Sequence, residues 1–202
     1  DLQVTDLAIT PSAGWLPGSA VTVNWKTRNP GDGAATGSWT ETLRVRNVNT
    51  GQVLFNLALP YDAAVNGAID AAGFRDRSAT VVWPAGVTGL GNLEFPVTAD
   101  SAAPVFENNL AGTAESNNSA QFTVLSAPDL QIANLTTVQT STQAGGTVNV
   151  NWNDHNAGTA APVAGWSDRI VVRNLDTGEV LVDTLLAFDP NAAGSGGLPG
   201  GG

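Results

Sequence analysis

The feature that most constrains this chain is that it contains the same text twice. VTVNW, Val21 to Trp25, returns as VNVNW, Val148 to Trp152. SWTETLRVRNVNTGQVL, Ser38 to Leu54, returns as GWSDRIVVRNLDTGEVL, Gly165 to Leu181. Asp1-Leu2-Gln3 matches Asp129-Leu130-Gln131 at an offset of 128, and from Val21 onward the offset is 127. So long a period does not suit the common solenoids and suits a string of globular modules. The match fades in the Gly-rich stretch 191–202, and nothing later corresponds to Arg75–Leu125. The expectation is one complete module over 1–127 and the first half of a second over 128–202, with Ser126-Ala127-Pro128 as linker. Each chain holds two first halves and one second half, so exchange among identical chains cannot complete both. The strands missing from the second copy are expected beyond Gly202.

Periodicity assigns the module to the all-β class. Val21, Val23 and Trp25 alternate with Thr22, Asn24 and Lys26, and Leu93, Phe95 and Val97 follow the same rule. No stretch carries a sustained helical stripe. Strands are expected at about 2–10, 20–29, 39–48, 52–59, 78–83, 91–99 and 119–125, separated by turns such as Asn49-Thr50-Gly51. Seven short strands in this span read as an immunoglobulin-like β-sandwich, here without the usual disulfide because the chain has no cysteine. The parity of Leu2, Val4, Leu7 and Ile9 slips between Val4 and Leu7, and copy two slips at the same place. A bulge or a strand that switches sheets would do this. Pro96 in a good strand predicts an edge or a bulge.

Composition narrows the partners. Apolar residues make up 42% and charged residues 13%, against a usual ~25% charged. Asp and Glu number 18 against 8 Lys and Arg, a net charge of −10. An acidic surface with no basic cluster repels phosphate backbones, so nucleic acid is not an expected partner. It attracts cations, and Ca²⁺ is the common hard cation outside cells. No apolar run approaches a membrane span.

Three blocks, DLQVTDL, VTVNWKTRNPGDGAATGSWTETLRV and VTADSAAPVFENNLAGTAESNNSAQFTV, together resemble the CARDB module, the cell adhesion related domain found in bacteria. Copy two shares DLQIANL, VNVNWNDHNAGTA and GWSDRIVVRN with it. The resemblance implies a seven-stranded sandwich set in tandem in large bacterial proteins that are secreted or at the cell surface. It implies a non-enzymatic role as spacer or adhesion unit, with neighbouring modules, identical subunits, surface glycans or proteins as partners. Two other roles fit the same residues: a subunit of an extracellular filament or surface layer, and an accessory glycan- or peptide-binding module of a secreted enzyme.

The candidate metal ligands are Asp100, Glu107, Glu115, Asn117 and Asn118, before the last strand, a segment that resembles the family's acidic, Asn-rich loop. Oxygen ligands of this kind can hold calcium. The alternative is an Asx-rich turn bonding its own backbone. The spacing is neither an EF-hand nor a glycine-aspartate nonapeptide repeat. Asp62 and Asp189 follow an aromatic in both copies and read as structural turns or, less simply, ligands. Trp25 and Trp152 read as packing, and Trp39 and Trp166 as covers for a sandwich end. An exposed Trp15/Trp83 pair would stack on sugars. His155 aligns with Arg28, which argues against catalysis or metal binding there, and no cysteine or serine–histidine nucleophile is expected. Two sequons, at Asn117 and Asn134, complete the motifs.

Overall fold

The computed structural model describes residues 1–139, 143 and 145–201. Gly202, the end of the expected second module, lies outside the described residues. The chain is all-β, with several antiparallel sheets, and divides into two compact units, Asp1–Ser126 and Ala127–Gly202. Among the described residues no helix is long and apolar enough to cross a membrane.

In the first unit, β1 (Gln3–Thr10), β2 (Ala20–Arg28) and β5 (Phe74–Val82) form one sheet in the order β1-β2-β5. The second sheet has the order β4-β3-β6-β7, from β3 (Ser38–Asn47), β4 (Val53–Asp62), β6 (Gly91–Thr98) and β7 (Ser119–Ser126). A four-residue helix, α1 (Ala63–Asn66), follows β4, its start capped by Asp62. The period-two residues of both sheets meet in one core. Val21, Val23 and Trp25 from β2, Leu43 and Val45 from β3, and Leu93, Phe95 and Val97 from β6 are all buried. Each such side chain contributes about 1.5–3 kcal/mol relative to exposure, enough to hold two sheets together without a disulfide.

The parity slip is a bulge. Pairing of β1 with β2 shifts register between Thr5 and Ala8, where Asp6 takes a left-handed φ of 52°. Such a φ is uncommon outside glycine, and Asp and Asn tolerate it best. Asp6 also meets Lys26 Nζ at 2.8 Å.

A buried carboxylate joins the two sheets. Glu41 on β3 is fully buried, yet its oxygens accept from Trp25 Nε1 at 3.2 Å, Thr27 Oγ1, Trp39 Nε1 at 3.4 Å and Arg77 Nε at 2.8 Å. Trp25, Thr27 and Arg77 belong to the other sheet. Arg77 also lies over the ring of Tyr61, which stacks on Trp39 at 4.3 Å between centroids.

Two sequence expectations are corrected. Pro96 lies neither on an edge nor in a bulge, because β6 is interior, flanked by β3 and β7. The β3–β6 ladder keeps one register but lapses between the Leu43–Val97 and Arg46–Glu94 pairs, opposite Phe95 and Pro96. The missing N–H is thus accommodated by an interruption on one side, while pairing with β7 continues through Pro96–Gln121. Trp15 and Trp83 are not an exposed pair. Both are buried, 4.6 Å apart between centroids and packed on Phe95, so neither offers a face to a sugar.

The second unit has β8 (Leu130–Thr137) paired with β9 (Val150–Asn156), and β10 (Trp166–Arg173) paired with β11 (Val180–Phe188). It repeats the first unit in detail. The β8–β9 register breaks between Ala133 and Thr136, with Asn134 at φ 54° in the place of Asp6. The hairpin after β10 copies that after β3. Asn174 accepts from the N–H groups of Asp176 and Thr177 as Asn47 does from Asn49 and Thr50, and Gly178 at φ 74° matches Gly51 at φ 75°. Asn156 is buried like Asn29 and bridges Gly158 N–H and Ala160 C=O, as Asn29 bridges Gly31 and Gly33.

Removing Arg77 leaves the Glu41 charge buried without its cation. Arg77→Ala is expected to destabilise the first unit by roughly 3 kcal/mol. Loss of the exposed Arg44 should cost less than about 0.5 kcal/mol. Urea melts followed by tryptophan fluorescence compare the two; equal midpoints would show that the Arg77–Glu41 pair does not stabilise the fold.

Candidate functional site

The segment between β6 and β7 is folded back on itself by its own polar groups. Ala99 N–H donates to Asn118 C=O at 2.9 Å, which brings the two ends of the loop together. Asp100 has a left-handed φ of 46°, and its Oδ2 accepts from Val105 N–H at 3.0 Å. Glu107 accepts from Leu2 N–H through Oε1 at 3.0 Å and donates its own N–H to Glu115 Oε1 at 3.0 Å. Asn109 Nδ2 reaches Asp1 Oδ2 at 3.2 Å. These bonds gather Asp1, Asp100, Glu107, Glu115, Asn117 and Asn118 at the end of the sandwich where β1 begins and β6 and β7 meet.

Asp100, Glu107 and Asn118 are 3%, 5% and 6% exposed. Each keeps one buried oxygen with no hydrogen-bond partner: Asp100 Oδ1, Glu107 Oε2 and Asn118 Oδ1. Asn117 Oδ1 and Asp1 Oδ1 are also buried and unpartnered. Five acceptor oxygens without donors are unfavourable, since a buried unsatisfied group costs about 1–3 kcal/mol and a charged one more. Desolvation raises the pKa of Asp100 above its ordinary 3.8, and the neighbouring Glu115 pushes it the same way. Desolvation likewise raises Glu107 above 4.5, with Asp100 and Glu115 adding to the rise and the bond from Leu2 N–H opposing it.

Two carboxylates and two amides that each keep a buried oxygen without a partner, with a third carboxylate from the chain's start, are hard donors of the type calcium takes, 6–8 oxygens at 2.3–2.6 Å. Among the described residues no group of three or more His, Cys, Asp or Glu forms a ready metal shell.

Of the residues expected from sequence, Asp100, Glu107, Asn117 and Asn118 carry unpaired oxygens. Glu115 is exposed and its Oε1 is taken by Glu107 N–H, so it lies at the rim. Asp1 was missed, because only the fold brings it near residue 109; the hint was the recurrence of Asp-Leu-Gln at 129. Asp62 ends β4, caps α1 through Ala64 N–H and takes Ser38 Oγ, and Asp189, just after β11, accepts from Asn191 N–H, so both hold local backbone. Trp39 is buried in the Glu41 network, and Trp166 packs on Phe188 at 4.5 Å. His155 lies on β9 opposite Gln131.

The raised pKa values fix a sign for pH dependence without metal. A carboxyl whose folded pKa is raised favours the native state below its unfolded pKa, and that contribution is lost as pH rises through the folded value. Asp100→Asn with Glu107→Gln keeps the acceptors for Val105 and Leu2 but cannot ionise. In chelator, the double variant should gain stability over wild type as pH rises from about 3.5 to 7. Calorimetry across that range checks it; a gap independent of pH would show that neither carboxyl titrates as described.

No protein-family model matches the sequence, and no curated protein matches it. In structure the chain is similar to the CARDB domain of the PF1109 protein from Pyrococcus furiosus. Its crystal structure, in complex with di-metal ions, is 18% identical over 62% of this chain and 91% of that one, with a TM-score of 0.39. A solution NMR structure of that domain is 16% identical over 62% of this chain and 93% of that one, also with a TM-score of 0.39.

Proposed function

We propose that this chain is a tandem structural segment of an extracellular bacterial protein, built from immunoglobulin-like modules that act as spacers or adhesion units. The observation that carries the reading is repetition of one structural plan. The bulge, the hairpin turn and the buried asparagine clamp recur residue for residue in the second unit. A plan kept at that level while surface residues drift suits a module whose task is shape. The three sequence blocks that resemble CARDB support the same reading.

We further propose that the oxygen-lined end of the first unit holds calcium. Asp100, Glu107, Asn117, Asn118 and Asp1 would supply the ligands, with Glu115 at the rim. The ion would supply positive charge to oxygens that otherwise have no donor, and so tie the start of the chain to the loop before β7. A module end stiffened in this way transmits force with less local opening.

Calcium should raise the melting temperature of the first unit, by the equivalent of about 2.7 kcal/mol at a hundred times Kd. Chelator should reverse the rise, and Asp100→Asn with Glu107→Gln should abolish it. Single-molecule pulling should show a higher unfolding force with calcium than with chelator. Unchanged melting and force on chelation would remove the calcium role. Saturable binding of the folded chain to one soluble glycan, with no mechanical signature, would replace the spacer reading with the accessory-module one.

A further inference from the structure

Position 66 is where two otherwise matching turns part. After β4 the Asp62 carboxylate accepts from Ala64 N–H at 2.9 Å, and Gly67 ends the turn at φ 84°. After β11, at the same offset of 127, Asp189 accepts from Asn191 N–H at 2.9 Å, and Gly194 stands at φ 86°. That left-handed backbone calls for glycine in both copies. The residue before it is Ala193 in one copy and Asn66 in the other, so the shape of the turn does not require an amide. Asn66-Gly67 is the only Asn-Gly pair in the sequence, and Asn66 is exposed to water.

The two sides of Asn66 are held unequally. Downstream, Tyr61 Oη donates to Gly67 C=O at 2.8 Å, and Arg75 Nη2 donates to Ala68 C=O at 2.6 Å. Ile69 is fully buried, exchanges both main-chain hydrogen bonds with Ala35, and its C=O also accepts from Asn29 Nδ2 at 2.9 Å. Upstream lies α1, a single turn of four residues, and so short a helix opens at little cost. Asn66 Nδ2 donates to Asp62 C=O at 3.0 Å across that turn. Tyr61 carries the turn's state inward. It is 2% exposed and stacks on Trp39, whose indole donates to Glu41.

We propose that Asn66 is a site of spontaneous deamidation, and that its isoaspartate product loosens the core of the first unit through Tyr61. When α1 opens, the Gly67 backbone nitrogen attacks Asn66 Cγ. An N–Cγ bond forms, the Cγ–Nδ2 bond breaks, and ammonia leaves with the proton of Gly67 N–H. Glycine favours the step because no side chain shields its nitrogen. Water then opens the cyclic imide at either carbonyl, and nothing is oxidised or reduced. Opening at Cγ gives aspartate. Opening at the backbone carbonyl gives isoaspartate, whose main chain runs through Cβ and Cγ and is longer by one methylene. Ala68 and Ile69 are fixed by Arg75, Ala35 and Asn29, so the added length falls on Gly67. Its C=O moves off the Tyr61 hydroxyl, and the ring that stacks on Trp39 loses its anchor. Either product also loses the donor to Asp62 C=O.

The test incubates the full chain, folded, at mildly alkaline pH. Digests are read by mass spectrometry and by labelling with an isoaspartate-specific methyltransferase. Asn66 should convert before any other asparagine, with isoaspartate the larger product. Asp62→Ala removes the cap and should speed conversion roughly threefold or more. By tryptophan fluorescence the aged chain should unfold at lower urea than the fresh one. Asn66→Ala, the residue the second unit uses, should keep the fresh midpoint throughout. Fresh Asn66→Asp has the charge without the methylene, and its midpoint should lie nearer the fresh chain than the aged one. Tyr61→Phe, the residue found at position 188, should melt lower from the start, and ageing should lower it little further, because the two changes remove one bond. The proposal is overturned if another asparagine converts first, or if the converted chain melts with the fresh one. It is also overturned if Asn66→Asp melts with the aged chain, or if ageing lowers Tyr61→Phe as much as wild type.

Discussion

Everything in the first unit turns on one carboxylate that has no business in an apolar core except that it is fully answered. Glu41 receives two indole N–H groups, one hydroxyl and one guanidinium, and the donors come from both sheets. Dispersion and desolvation hold two sheets at a spacing but are nearly indifferent to small sliding motions. A buried charge with four directed donors is not indifferent. It sets where β3 lies relative to β2 and β5, and holds Trp39 where it stacks on Tyr61. The stabilisation it adds over an apolar replacement can be slight; what it supplies is alignment.

Much of this was readable before any coordinates. Val21, Val23 and Trp25 placed β2, and Leu93, Phe95 and Val97 placed β6, because alternation forces one face inward. The slip between Val4 and Leu7 announced the bulge at Asp6 because a single inserted residue flips every later side chain. The start of β5 was less legible. Strand begins at Phe74 rather than near 78 because its first inward positions are Arg75 and Arg77, which imitate a loop. Only the partner Glu41, far away in sequence, makes an inward arginine sensible. Pro96 misled for a related reason: local chemistry excludes a donor, but the neighbouring strand can leave one gap.

The acidic loop divides along the same line. Residue types and their density identified the segment, since oxygen-rich side chains before β7 are visible in the text. Which oxygens lack partners was not visible, because Val105 N–H, Leu2 N–H and Asn109 Nδ2 each take up one of them through the fold. Glu115 lost its place to a backbone amide, and Asp1 gained one from a contact across the whole module.

The single substitution of Thr27 in one unit by Asp154 in the other has a consequence for folding. Tandem modules of similar sequence can exchange strands while still unfolded, and the crossed product is a trap. A β9 strand taken into the first unit would set Asp154 against Glu41, two carboxylates around one arginine. It would also put Asn153 where Lys26 meets Asp6. Discrimination between cognate and crossed assembly rests on such mismatches. Divergence at these two positions thus gives each copy an identity, so that a chain which says the same thing twice does not confuse the two sentences as it folds.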